Sequence, residues 1–199
     1  MKTSNRFSRY AEMKDHGLIR AFLNGEMDSF DELVNRHKTR LFNLCFWFLG
    51  DYQEADDVCQ DVFIKIYKSL KTFRFEASFT TWSYRITVNT CKNRSKSLGY
   101  RIKKWTAQID AAEELPAAAI ANGSGNSNPH QALEKKERME IIRQALNALA
   151  ADKRAVAVLR DIEGLSYDDI SIIMGLPVGT VKSRLARARN DLKNMLAGL

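Results

Sequence analysis

The chain has 199 residues, and its hydrophobic content of 45% allows one medium-sized or two small packed cores and excludes disorder of the whole chain. Its formal net charge of +7 suits a polyanionic partner such as nucleic acid or an anionic membrane surface, although charge alone does not choose between them. With only three prolines and ten glycines, long segments lack helix breakers, which favours helical structure.

Cysteine usage and hydropathy restrict the class of protein further. Cys45, Cys59 and Cys91 form no CxxC pair, and an odd count without a signal peptide is typical of a reducing cytosol. Buried apolar thiols explain such cysteines better than a metal site does, so we expect neither a metal nor a cofactor. The segment 1–15 is too polar for a secretory signal, and the most apolar run, 41–49, is far too short to span a bilayer. We therefore expect a cytoplasmic protein without stable membrane insertion.

A first helical block is predicted over residues 15–105. Asp28 can cap a helix there and Gly50 can end it, and the apolar residues between them recur at steps of three and four, which is a helical period. These residues are Phe30, Leu33, Val34, Leu41, Leu44, Cys45 and Phe48.

Two more helices are predicted in this block from their capping residues. Asp51 with Glu54 resembles a capping box, and the helix that follows has an apolar stripe opposite a charged side. After a short loop, Ser78 can cap a further helix over residues 79–97.

The remaining chain is predicted to form a linker and a second helical block. Residues 106–129 are rich in small side chains and end in Gly, Ser and Asn, which is typical of a flexible linker. No segment alternates with a period of two, so the fold class is all-α, with two helical domains joined by that linker. The block at 130–199 is predicted to contain helices near 131–149, 152–162, 166–174 and 178–196.

The strongest motif lies at residues 165–192, where a short helix, a turn containing Gly175 and a second helix make a helix-turn-helix. One face of the second helix is apolar and is expected to pack inward, while its basic residues lie largely elsewhere, near the N-terminal half that enters a major groove. Thr180 and the free amides of the first turn can bind a phosphate. The basic residues are Lys182, Arg184, Arg187 and Arg189.

A second motif is the stretch of aromatic and basic residues at 71–97. Aromatic rings can stack on unpaired bases while cations hold the backbone. Trp82, with Phe79 and Ile86 at helical spacing, is better explained as core. Phe73 and Phe75 lie in the predicted loop, where exposure is expected.

These motifs together resemble the extracytoplasmic-function (ECF) sigma factors of bacteria, across nearly the whole chain outside the linker. EADDVCQDVFIKIYKSLKTF resembles sigma region two, SFTTWSYRITVNTCKNR resembles its promoter-melting part, and LRDIEGLSYDDISIIMGLPVGTVKSRLARAR resembles sigma region four. The resemblance implies an alternative sigma factor that binds core RNA polymerase and starts transcription at promoter DNA. It also implies contacts with the clamp of the largest polymerase subunit and the flap of the second largest, and an anti-sigma partner that could hold the protein at a membrane.

The resemblance also implies roles for individual residues. The clamp-binding surface matches Asp57, Gln60, Asp61 and Lys65, although without the resemblance these form an ordinary polar helix face. The pocket for a flipped −10 base matches Phe73 and Asn89, with Lys92 as a further −10 contact. Recognition of the −35 element matches Thr180, Lys182, Ser183, Arg184 and Arg187.

Three positions depart from the family pattern. Phe75 stands where the loop usually has glycine, which puts loop shape and promoter choice in question. Ser83 stands where an apolar residue is usual, and Cys59 replaces a common threonine.

Two other classes of protein are compatible with parts of the sequence. A one-component regulator with a similar helix-turn-helix would need a ligand-binding or phosphoacceptor domain, of which the first block has no sign. An enzyme acting on nucleic acid would need a phosphate loop, metal cluster or nucleophile motif, and none is found. Asp56, Asp57 and Asp61 are candidate metal ligands by residue type, but the nearby Lys65 favours a solvated helix face. We therefore do not expect an enzyme.

Overall fold

A computed structural model of the chain describes residues 9–97 and 129–197, and helices account for most of both segments. The all-α prediction is confirmed, and the described residues contain no strand. The predicted linker lies almost entirely outside the described residues. The helices are α1 (Asp15–Leu23), α2 (Asp28–Leu49), α3 (Tyr52–Ser69), α4 (Phe79–Lys96), α5 (Pro129–Ala148), α6 (Ala151–Ala157), α7 (Tyr167–Met174) and α8 (Val178–Leu196).

Several helix ends lie where capping residues predict them. Asp51 Oδ1 accepts a hydrogen bond from the Glu54 amide at 2.7 Å, and Ser78 Oγ accepts one from the Thr81 amide at 3.0 Å. Each bond satisfies an amide that the first turn of a helix leaves without an intrahelical partner. The expected cap at Asp28 is wrong by one residue. Met27 occupies the capping position, and Asp28 lies in the first turn, where its charge suits the helix dipole.

The described part of the first block, residues 15–97, is held together by mutual packing of α2, α3 and α4, and α1 packs against α2. Its core contains apolar side chains from all four helices, including Leu18, Leu44, Val58 and Val88. Because α3 and α4 place one face in this core, their opposite faces carry the polar residues.

The second block (residues 129–197) is built around the helix-turn-helix. Ser166 Oγ accepts a hydrogen bond from the Asp169 amide at 3.0 Å at the start of α7, as the capping box predicts. Gly175 ends α7 with φ of 63°, a left-handed conformation that glycine adopts without a steric cost. Helix α6 continues into a π-helical turn at Val158–Ile162 and packs against α8.

The two blocks also pack against each other, which the composition of the linker does not predict. Helix α4 contacts α7, and the C-terminal part of α2 contacts α5 and α6. Among the described residues, no helix combines the length and hydropathy needed to cross a membrane.

Candidate nucleic-acid interface

The second helix of the helix-turn-helix, α8, has one apolar face and one polar face. Val181, Leu185 and Ala188 are buried, at steps of four and three, and Leu192 packs against the same core. This confirms the predicted inward face. The opposite face near the N-terminal half of α8 is left toward solvent, in the position that a recognition helix presents to a major groove.

The residues expected to contact the −35 element differ in their environments. Lys182, Ser183 and Arg187 are exposed, whereas Thr180 is half-buried and its carbonyl accepts a hydrogen bond from Ser183 Oγ at 3.0 Å. The ammonium group of Lys182 lies 5.5 Å from the centre of the Tyr167 ring, a distance that permits a cation–π interaction. The residues expected to contact the −35 element therefore all lie in the N-terminal half of α8.

Two arginines of α8 are paired with carboxylates. The guanidinium of Arg184 lies 2.9 Å from Asp152 Oδ2, with 30% of its side chain exposed. Arg189 binds Asp161, and this pair raises the pKa of the Arg189 guanidinium, so its charge is secure at any physiological pH. The Arg184 side chain is therefore already paired with a carboxylate of the same chain, whereas the Arg187 side chain is exposed to solvent.

The exposed face of α3 carries the residues expected to bind polymerase. Asp57, Gln60, Asp61 and Lys65 are all exposed, and Lys65 Nζ donates a hydrogen bond to Thr90 Oγ1 on α4 at 3.1 Å.

Sequence reasoning missed the apolar centre of this surface. Ile64 is 52% exposed and lies one turn beyond Gln60 and Asp61 on the same face. Its spacing could have revealed it, since an isoleucine on the polar side of an amphipathic helix is out of place. An apolar centre with a polar rim is typical of a protein-binding surface.

The loop before α4 requires a correction. The expected exposure of Phe73 is wrong, because only 6% of the residue is accessible. Its ring packs against Phe75, Phe79 and Trp82, with centroid distances of 4.8, 6.3 and 5.2 Å. A short 3₁₀ turn at Leu70–Thr72 immediately precedes this residue. Burial of this apolar ring is favourable enough to override its position in a loop.

Phe75 is half-buried and covers Phe73 on the outside of the loop. It adopts φ of 59°, the left-handed region that disfavours residues with a Cβ atom. This conformation explains why glycine is usual at the position. The ring of Phe75 also meets the His16 ring edge-on at 5.3 Å and lies 5.5 Å from the Arg20 guanidinium.

Helix α4 presents two different faces outside the core. Asn89 is exposed, and Arg85 and Lys96 lie near it at helical spacing, so they form a polar stripe toward solvent. Lys92 instead pairs with Asp152 Oδ1 at 2.9 Å and is 19% exposed. The unusual Ser83 is buried and donates its hydroxyl to the Thr80 carbonyl at 3.0 Å, so its polar group is satisfied.

The groups considered as metal ligands do not converge in the described part of the chain, where no set of three or more ligand side chains could hold an ion. Asp56 accepts a hydrogen bond from Gln60 Nε2 at 2.9 Å. The three cysteines are buried and unbridged, in agreement with their expected role as core residues.

Comparisons with known proteins agree with the arrangement of the two blocks. Residues 33–99 match the family described as Sigma-70 region 2, and residues 139–192 match Sigma-70, region 4. The RNA polymerase sigma-H factor of Pseudomonas aeruginosa is 36% identical over 186 residues, covering 94% of this chain and 95% of the relative. The ECF RNA polymerase sigma-E factor of Escherichia coli K12 is 34% identical over 188 residues, covering 94% and 97%.

Solved structures show the same architecture. CnrH, in complex with the cytosolic domain of CnrY, has a TM-score of 0.65 and 26% identity, covering 92% of this chain and 97% of that chain. RpoE of Bartonella quintana, in complex with the anti-sigma factor NepR, has a TM-score of 0.63 at 23% identity, covering 84% and 96%, which shows the fold alone. The region 2 match also decides against a regulator with a ligand-binding N-terminal domain. With both regions present in order and relatives matched along almost their full length, the chain belongs to the ECF sigma factors of the sigma-70 family, the alternative sigma factors that direct transcription initiation.

Proposed function

We propose that this sigma factor binds core RNA polymerase through α3, opens the −10 element with the loop before α4 and with α4 itself, and reads the −35 element with α8. The observation that carries the proposal is the outward polar face of α8, because Lys182, Ser183 and Arg187 are exposed together there. Exposed cations at the start of a recognition helix can reach guanine edges and phosphates. The protein then acts as an initiation factor and supplies no catalytic chemistry of its own.

The α3 surface supports the polymerase contact. Asp57, Gln60 and Asp61 form a polar rim beside the exposed Ile64. Displacing water from an apolar side chain stabilises a complex, while the surrounding charges set orientation and association rate. Within the clamp-binding role, Ile64 therefore supplies apolar contact and Asp61 supplies charge complementarity to a basic partner surface.

The residues assigned to the −10 element have different roles in this proposal from those expected from the sequence. Asn89 is exposed and has both amide donors and an acceptor for the edge of an unpaired base. Phe73, being buried, supports the loop from beneath and leaves Phe75 as the outer ring against which a base could stack. Lys92 becomes available to a phosphate once it leaves Asp152.

An anti-sigma partner is suggested by the solved structures, and a contact with the polymerase flap by the family resemblance. Solved sigma factors of this fold occur in complexes with the CnrY cytosolic domain and with the anti-sigma factor NepR. We therefore propose an anti-sigma partner for this chain, a cytoplasmic location, and tethering at a membrane whenever that partner is membrane-bound. The second block would meanwhile contact the flap of the second largest polymerase subunit.

The polymerase surface is tested with Asp61→Arg, measured as affinity for core polymerase. Charge reversal mispairs a residue at the interface rim, so we expect affinity to fall at least tenfold, about 1.4 kcal/mol. Glu137→Arg makes the same reversal of charge at an exposed position of α5, and this control variant should bind core polymerase as tightly as the parent does. Equal affinity of parent and Asp61→Arg would remove the surface from this role.

The promoter roles are tested by in vitro transcription with core polymerase over a promoter library. Asn89→Ala should slow open-complex formation on duplex promoters, and a pre-melted bubble should restore part of the rate because the cost of unpairing is removed. If Asn89→Ala opens duplex promoters at the parental rate, Asn89 has no part in melting.

A further inference from the structure

Three cysteines meet inside the first block, one from each of its three long helices. Cys45 lies on α2, Cys59 on α3 and Cys91 on α4. The Cys45 thiol is within hydrogen-bonding distance of the other two sulfurs. The mutual packing of α2, α3 and α4 therefore arranges the thiols as a row with Cys45 in the middle. We call these three side chains the thiol cluster.

Packing alone does not require sulfur at all three positions. A free buried cysteine ordinarily acts as a small apolar side chain, and Cys59 stands where the family commonly has threonine. The cluster does not form a metal site, since no set of three ligand side chains in the described ranges could hold an ion. Its distinctive feature is the direct contact of thiols, because an oxidised cysteine condenses with a thiol beside it to form a disulfide.

The two thiols of α2 and α3 differ in accessibility and in acidity. Cys45 is fully buried, whereas Cys59 is 6% exposed and so is the one a small oxidant reaches first. The hydrogen bond from Cys45 lowers the pKa of the Cys59 thiol, although burial and the nearby Asp56 act in the opposite direction. The hydrogen bonds of Cys45 with Cys59 and Cys91, together with burial, raise the pKa of Cys45. Because the thiolate is the reactive form, Cys59 is the better nucleophile of the two.

We propose that the thiol cluster is an oxidative modification site, at which a peroxide oxidises Cys59 and Cys45 then closes a disulfide between α2 and α3. The site is independent of the polymerase and DNA contacts proposed above. It requires only that the first block is folded, because folding is what brings the two thiols together.

The reaction has two steps with hydrogen peroxide as the oxidant. The Cys59 thiolate attacks one peroxide oxygen and the O–O bond breaks, which leaves a sulfenic acid on Cys59 and a hydroxide that takes up the Cys59 proton as water. The Cys45 sulfur then attacks the Cys59 sulfur, the S–O bond breaks, and the departing hydroxide leaves as water with the Cys45 proton. The two thiols together lose two electrons and two protons, and one peroxide becomes two waters.

The new bond would join helices that already touch. It closes the loop between residues 45 and 59, which contains the turn at Gly50. Closing a loop restricts the unfolded chain and therefore stabilises the folded one, provided that the folded helices accept the bond without much strain. The oxidised chain should accordingly be a monomer that unfolds at a higher temperature than the reduced chain.

Peptide mapping of the full-length chain tests the modification. The chain is treated with hydrogen peroxide, its remaining thiols are alkylated, and its peptides are analysed by mass spectrometry without reduction. We expect the Cys45 and Cys59 peptides to be linked, with the pair lighter by two hydrogens, and Cys91 to be alkylated. Three alkylated cysteines, a link between two chains, or a link from Cys45 to Cys91 with Cys59 alkylated would each overturn the proposal.

Serine variants identify the role of each thiol, since serine is similar in size and keeps a hydrogen-bond donor. Cys45→Ser should leave Cys59 as a sulfenic acid that dimedone labels, whereas Cys59→Ser should give neither that label nor the disulfide. Cys91→Ser is the matched control and should form the Cys45–Cys59 link as the parent does. Dimedone labelling of Cys45 in the Cys59→Ser chain, at the rate seen for Cys59, would contradict the assigned order.

Thermal unfolding tests whether the folded block accommodates the bond. Oxidation should raise the unfolding midpoint of the parent by roughly 5–10 °C, and reduction with dithiothreitol should return it to the starting value. The midpoint of Cys59→Ser should not change with peroxide. An oxidised parent that unfolds at or below the midpoint of the reduced parent would overturn a disulfide between packed α2 and α3.

Discussion

The conformation of Phe75 sets two opposing effects against each other at a loop expected to contact the promoter. A left-handed φ costs a residue with a Cβ atom about 1–2 kcal/mol, and glycine would remove that cost. Against this, the half-buried ring contributes roughly 0.8–1.5 kcal/mol, half the value for full burial of phenylalanine. Its contacts with Phe73 and His16 add about 0.5–1.5 kcal/mol each.

The balance favours the ring, so Phe75→Gly should destabilise the chain despite its relief of strain. We expect a loss of roughly 1–3 kcal/mol, because glycine also adds unfolded-state entropy of about 0.4–1 kcal/mol. Phe75→Ala keeps the left-handed strain and loses the ring, and should cost roughly 2–4 kcal/mol.

The measurement is urea unfolding of the parent and both variants, with free energies compared at constant slope. The difference between the alanine and glycine variants isolates the backbone cost, and the difference between phenylalanine and alanine isolates the ring. A Phe75→Gly chain more stable than the parent would show that the ring contributes less than the strain it imposes, and would refute the reasoning.

Three further predictions concern the second block. Leu185→Asp buries a carboxylate in the helix-turn-helix core and should cost more than about 4 kcal/mol in thermal unfolding, whereas the exposed Ala186→Asp should cost less than about 0.5 kcal/mol. Arg187→Ala should cost roughly 1–3 kcal/mol in promoter binding and relax preference at one base position in a binding selection at fixed salt, whereas Arg189→Ala should leave that preference unchanged. Burial raises the pKa of Glu163, so protonation of its carboxyl favours the packed arrangement of the two blocks. Energy transfer between a dye on one block and a dye on the other should therefore rise as pH falls toward the ordinary carboxyl pKa of about 4.3. Glu163→Gln should abolish that rise, and a parental pH profile in this variant would contradict the assignment.

The sequence alone determined the helices, the helix-turn-helix and the family. These depend on interactions within a few residues: the cap of Asp51 on the Glu54 amide, the left-handed end of α2 at Gly50, and the three- and four-residue spacing of Val181, Leu185 and Ala188. Such local preferences act on the chain before any tertiary contact forms, so they can be predicted from residues that are close in sequence.

Only the tertiary structure decided which of the expected site residues are available. Phe73 is buried because the rings of His16, Phe75, Phe79 and Trp82 surround it, and its position in a loop does not predict that these rings converge on it. Arg154 binds the Phe48 carbonyl across 106 positions of the chain, and Asp152 joins Lys92 to Arg184 across the two blocks. Pairing over such separations depends on how whole helices pack, since a charged residue has many possible partners in sequence and only a few within reach in space.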